Sequence, residues 1–305
     1  MLTHVEAANG QIGVGSGGLD WPLDPTFLML VGVAALGWLL VVRHVNAAHP
    51  AAHVPLSRTF ALMAGLAALI VALQSPIDSL ADRLFSIHMV QHLLLMYVAA
   101  PLLVAAAPVT LLLRFSRPSP RRHLLLPILH GRLVRAMSAP LVTWLVFIAV
   151  MWATHLSPLF ELALESQPVH DAEHVLLLGA AVLFWLPVIG REPLPWRLGW
   201  SARAAYVAQA MPAGSFLGMV IVSGTRILYP HYALVGGAAA LDDQRLAGTI
   251  MWVGTDIFSL VVLALLIREW LTTDPGPQTG LTRASSLEVH PPAGASVRPR
   301  DQTTG

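Results

Sequence analysis

The stretch IHMVQHLLLM places His88 and His92 four residues apart inside an apolar run. A second pair, His170 and His174, stands in HDAEH at the head of another apolar run. On a helix, residues i and i+4 share one face, about 6 Å apart along the axis. Each pair therefore offers two imidazoles to one cation, at metal–nitrogen distances of about 2.0–2.1 Å. Met96 continues the His88 face at i+8. Imidazole with thioether selects copper over magnesium or calcium, and Cu(I) above all. Two such helices facing each other supply up to four imidazoles, and His155, at the end of a further apolar run, is a candidate fifth.

Other polar residues fall where they can support such a site. Gln91 and Glu173 sit beside the two pairs and are read as orienting an imidazole. His231 lies in LYPHYA, followed by Asp242 and Asp243. Asp256 lies near the middle of the last apolar run, where a carboxylate costs roughly 2.5–3.5 kcal/mol to insert. It must pair, be protonated or reach water. One reading makes it an interhelical hydrogen bond; a sharper one places it under the histidines, balancing a bound cation. His44, His49, His53, His123 and His130 fall in polar or arginine-rich loops and read as solvated. The same histidines admit two other chemistries: zinc activating water, with Glu173 or Asp256 as base, or haem between two imidazoles. A membrane partner that docks a client and binds no metal is a fourth reading.

These side chains must be positioned by membrane helices. The chain has 305 residues, 55% hydrophobic and 11% charged, the composition of a multispanning membrane protein. Cysteine is absent and all 18 basic residues are arginine. Thiolate sites, disulfides and Schiff-base lysines are thereby excluded. A net charge of +1 gives no reason to expect nucleic acid as a partner. Seven apolar segments of spanning length lie near 27–43, 59–75, 84–106, 139–156, 171–190, 204–223 and 246–267. Pro-, Gly- and Arg-rich breaks separate them. The fold expected is all-α, with a tail over 1–26, a seven-helix transmembrane domain over 27–270 and a disordered tail over 271–305. The N-terminus lacks the basic start and apolar core of a signal peptide. MPAGSFLGM carries Gly214 and Gly218, a Gly-x-x-x-Gly pair suited to close helix packing.

Arginine sets the expected orientation. Loops on one side hold fifteen arginines and those on the other hold three. The basic side is cytoplasmic, so the N-terminus lies outside and the C-terminus inside. The six arginines between the third and fourth spans also suit anionic lipid. With this orientation His88, His92, His155, His170, His174 and His231 all fall at the outer face.

Five blocks, SIHMVQHLLLMYVAAPLLVAAAPV, MWATHLSPLFELAL, HDAEHVLLLGAAVLFWLPVIG, LYPHYA and LDDQRLAGTIMWVG, stand in an order and spacing that resemble the Bacillus-type CtaG family. These are integral membrane assembly factors of cytochrome c oxidase. The resemblance runs from about Thr59 to Trp270. It implies seven spans in a bacterial plasma membrane and a non-enzymatic role in maturing the oxidase at the copper B centre of its catalytic subunit. Partners implied are that subunit and other copper chaperones. The motif positions it carries over are His88, Gln91 and His92, then His155, then His170, Glu173 and His174, then His231, and then Asp242, Asp243 and Gln244. THLSPLF departs from the family pattern around His155 and weakens any role for that residue's neighbours.

Overall fold

A computed structural model describes Trp21 and residues 23–273. The expected tails over 1–26 and 271–305 lie almost entirely outside these residues, so the reading of the second as disordered does too. Among the described residues there is no strand. Ten helical elements carry the account: α1 Pro25–Ala48, α2 Leu56–Leu73, α3 Pro76–Ala81, α4 Phe85–Phe115, α5 Pro140–Leu156, α6 Pro158–Glu165, α7 Gln167–Ile189, α8 Trp200–Val222, α9 Pro230–Gly236 and α10 Ala240–Thr273. Among the described residues six helical stretches, one of them α9 with α10, are long and apolar enough to cross a membrane, and the pair α5 and α6, bent by 67°, makes a seventh.

The element ends follow local chemistry. Asp24 accepts from the Thr26 N–H at the start of α1, with Pro25 at the first helical position. At the bend, Ser157 accepts from the Leu159 N–H and Pro158 opens α6. Inside α4 the chain makes a π-turn over Leu94–Ala99. Across that turn the indole N–H of Trp185 in α7 donates to the Met96 carbonyl at 2.8 Å. An off-register carbonyl in a membrane helix needs such a partner. Further along, Ala107 takes a left-handed conformation (φ 58°) before Pro108. The Val109 and Thr110 amides beyond that break donate to the Glu192 carboxylate, both at 2.9 Å.

Two apolar clusters hold the bundle. One joins α1, α2 and α4 around Trp38, Leu66, Leu69, Leu95 and Leu111. The larger joins α4, α5, α7, α8 and α10 around Met89, Met96, Phe147, Met151, Phe184 and Trp185. The seam between α8 and α10 is set by glycine. A Cβ on Gly218 would stand 2.7 Å from the Gly248 carbonyl oxygen, and one on Gly248 would stand 2.7 Å from the Gly218 carbonyl oxygen. The backbones touch there, as the Gly-x-x-x-Gly spacing predicts.

Two elements differ from the sequence reading. The segment before the last span, read as a loop, forms α9 and the first turns of α10, so Asp242, Asp243 and Gln244 are helical. A short helix, α3, follows α2 where the sequence showed only a break. The chain divides into two compact units at Ile267: Met1–Ile267 contains every site residue discussed below, and the described part of the second, residues 268–273, is helical.

Candidate metal centre

The two histidine pairs meet. The His88 ring lies 5.2 Å from that of His170 and 6.2 Å from that of His174, and the His92 ring lies 5.5 Å from that of His174. His155 joins from α5, its ring 5.1 Å from that of His92. All five histidines are buried. The Phe160 ring of α6, fully buried, covers them at 4.9 Å from His88 and 5.9 Å from His155. Phe85, Tyr229 and Tyr232 pack around that cover.

Proton counting fixes the tautomers. The Tyr232 hydroxyl has one proton and gives it to the Ala81 carbonyl at 2.9 Å. His88 Nδ1, 3.0 Å from the same hydroxyl, must therefore donate, and its Nε2 carries a lone pair. On the other side His155 Nδ1 stands 2.7 Å from the Met151 carbonyl and must donate to it. Its Nε2 is then an acceptor, so His92 Nδ1, at 3.2 Å, donates. This leaves His92 Nε2 bare too. The two bare Nε2 atoms of His88 and His92 face each other at 2.9 Å. Two lone pairs at that distance repel unless a positive charge lies between them. A metal at about 2.0–2.1 Å from both would see an angle of about 90°.

Further donors stand around His88 in two groups. The Nε2 atoms of His170 and His174 and both carboxylate oxygens of Glu173 are buried without a hydrogen-bond partner. Donor atoms of His88, His92 and His174 lie within 4.8 Å of one another, and so do those of His88, His170 and Glu173. Buried polar atoms are rarely left unpartnered in native proteins. Here they cluster on a face built from nitrogen and carboxylate donors, which is the donor set for copper, zinc or iron rather than calcium.

The supporting residues depart from the sequence reading. Gln91 does not reach an imidazole: its amide donates to the Ala72 carbonyl at 3.0 Å and to Asp78 at 2.7 Å. Glu173, read as orienting His174, instead aims a free carboxylate at His88 and His170. Met96 is buried in the larger apolar cluster and lies within the π-turn of α4. His231 sits outside the cluster. Its backbone N–H donates to Glu161 of α6 at 2.9 Å and its Nε2 donates to the Asp82 carbonyl at 2.8 Å, so it ties the cover down. Asp243 accepts from the Ser86 amide and hydroxyl at the head of α4, while Asp242 is exposed beside Arg245. Gln244 accepts from the Leu228 N–H at 2.7 Å and donates to the Arg226 carbonyl at 3.1 Å. Asp256 lies in the α8–α10 seam with Ser215, whose hydroxyl is 2.9 Å from the carboxylate and 2.9 Å from the Met211 carbonyl.

Sequence reasoning missed four contributors. Tyr232 sets the His88 tautomer, and the Tyr229 hydroxyl donates to the His155 carbonyl. Phe160 forms the cover. Asp78, outside the spans, is pushed up to about 6 by burial and by the nearby Asp82 and Asp171, against the pull of the Gln91 hydrogen bond. Both tyrosines stood in the LYPHYA block, but the period of a short loop carries no sign of contacts 74 and 144 residues away.

The sequence model of the cytochrome c oxidase caa3 assembly factor family matches residues 20–273. Among curated proteins, the chain is 28% identical over 230 residues to an uncharacterized protein of Mycobacterium bovis, covering 72% of this chain and 35% of that one. It is likewise 28% identical over 233 residues to an uncharacterized protein of Mycobacterium leprae, with the same coverage. The chain thus spans about a third of the length of these relatives. No solved structure matches. The family model covers most of the chain and includes every histidine of the cluster, and the chain belongs to the cytochrome c oxidase caa3 assembly factor family.

Proposed function

We propose that this protein handles copper during assembly of the oxidase, holding one copper ion as cargo at the buried histidines and presenting it to the catalytic subunit for the copper B centre. The observation that carries the reading is the pair of bare Nε2 atoms of His88 and His92, 2.9 Å apart and flanked by unpartnered His174, His170 and Glu173. Only a cation or an extra proton relieves that arrangement. Neutral imidazole binds copper strongly, and the oxidase that gives the family its name supports copper over zinc. The nitrogen-rich set accepts either copper oxidation state; Cu(I) is the state proposed for the cargo. Haem between imidazoles of α4 and α7 fits less well, because those rings pack at 5.2–6.2 Å from one another under Phe160, in a space already filled by side chains.

The split of fifteen arginines against three supports an outward-facing histidine end, with the N-terminus outside and the C-terminus in the cytoplasm. The protein then sits in the bacterial plasma membrane and meets its client from the outer side. Phe160 and the bent α6 shield the ion from water, so transfer requires the cover to lift. The role is non-enzymatic: no bond of a substrate is made or broken. The test is a deletion strain. Oxidase subunits should accumulate while the copper B centre lacks copper and activity falls. An oxidase with full copper in that strain would rule delivery out.

A further inference from the structure

The histidines are buried, so a cation must reach them by a defined route. Three carboxylates stand together beside the cluster. Asp78 belongs to α3, Asp82 follows it directly, and Asp171 lies near the start of α7. Asp82 and Asp171 are exposed, and both lie within electrostatic reach of Asp78 and of His170. Among the described residues no arginine forms an ion pair with any of the three. Asp171 accepts from Gln167, at 3.0 Å.

Behind these carboxylates is a receiving group. His170 is 4% exposed, and its Nε2 is buried and unpartnered. It shares a three-donor set with Glu173 and His88. His88 also belongs to the set with His92 and His174. One imidazole is thus common to an outer position, which includes a carboxylate, and an inner position made only of imidazoles. A hydrated cation loses water at a cost, and a carboxylate position met first lowers that cost before the ion moves to neutral nitrogen donors.

We propose that Asp82 and Asp171, with Asp78 behind them, form the mouth through which a metal cation enters, and that His170, Glu173 and His88 receive it before it passes to His88, His92 and His174. The proposal rests on the copper reading of the site. No bond other than metal–ligand bonds changes, and the ion keeps its oxidation state throughout.

The test uses full-length protein in nanodiscs of zwitterionic phosphatidylcholine, mixed under anaerobic conditions with Cu(I) held reduced by excess ascorbate. Uptake is stopped at set times with excess chelator, and copper retained on the desalted protein is counted. The double substitution Asp82→Asn with Asp171→Asn should slow uptake at low salt by about tenfold or more, the scale of electrostatic steering. It should also flatten the salt dependence of the rate. Copper held at saturation should stay within about twofold of wild type. Asp171→Asn alone should slow uptake less than the double variant. Equal rates and equal salt slopes for wild type and both variants would overturn the mouth while leaving the metal site standing. Loss of saturating copper in Asp171→Asn would also overturn it, by making that carboxylate a ligand. Wild-type protein that takes up no copper would sink the reading of the site and this proposal together.

Discussion

Two glutamates of this protein are buried to nearly the same degree, Glu192 at 4% exposure and Glu173 at 7%, and their surroundings are opposite. Glu192 accepts three hydrogen bonds, from the amides of Val109 and Thr110 and from the Thr110 hydroxyl, each at 2.9 Å. It closes the helix break that Ala107 and Pro108 open in α4. Glu173 accepts none, and its carboxylate lies within 4.8 Å of ring nitrogens of His88 and His170. A buried carboxylate with a full set of donors is part of the scaffold. One without donors is a cost to the empty protein, repaid only when a positive charge arrives.

The same substitution at both positions should break this comparison if it is wrong. Glu192→Met leaves two half-buried backbone amides without an acceptor, at roughly 1–3 kcal/mol for each one not reached by water, while the Thr110 hydroxyl keeps the Arg191 carbonyl at 3.3 Å. Folded protein recovered from the membrane should fall sharply, as measured by fluorescence-detected size exclusion. Glu173→Met replaces an unsatisfied acid by an apolar side chain of similar size. The metal-free protein should be stabilised by about 1–3 kcal/mol, seen as a higher Tm in the same assay, while copper affinity falls. Destabilisation at both sites would show that Glu173 is scaffold as well.

A smaller effect should come from Tyr232→Phe. It removes the hydroxyl that fixes the His88 tautomer, and loss of such a partner typically lowers metal affinity by about 10–100-fold. Isothermal competition against a copper chelator would read it, and unchanged affinity would remove Tyr232 from the site. The smallest effect concerns Asp78, whose carboxyl rises from its usual 3.8 to about 6 in the fold. Because the folded state holds this proton more tightly than the unfolded one, the Asp78 contribution to stability falls as pH rises from about 4 to 6 and is flat above. Asp78→Asn keeps the Gln91 hydrogen bond and lacks the titration. Its Tm relative to wild type should improve across that window, and a constant difference would contradict the burial.

How much of this was legible beforehand depended on the range of the signal. The i, i+4 spacing of His88 with His92 and of His170 with His174 is local, and it carried both the helix face and the donor type. The depth of His155 at the end of α5 was visible from the apolar run before it. Gly218 was readable because Gly-x-x-x-Gly is also a local pattern. What failed depends on contacts distant in sequence or on irregular backbone. Gln91 was assigned to an imidazole because it neighbours two of them, yet its side chain leaves that face for Asp78, on an element the sequence did not announce. Tyr232 acts across 144 residues, and Phe160 acts through a bend at Pro158 whose direction no hydropathy profile contains.

The central claim is that the bare nitrogens of His88 and His92 hold a copper ion, and copper content per folded chain tests it most directly. Protein purified in nanodiscs after exposure to copper and removal of loose metal should carry one copper per chain. The His88→Ala, His92→Ala double variant, matched for monodisperse protein, should carry less than about a tenth of that. Equal copper in the two proteins, or none in the wild type, would contradict the account.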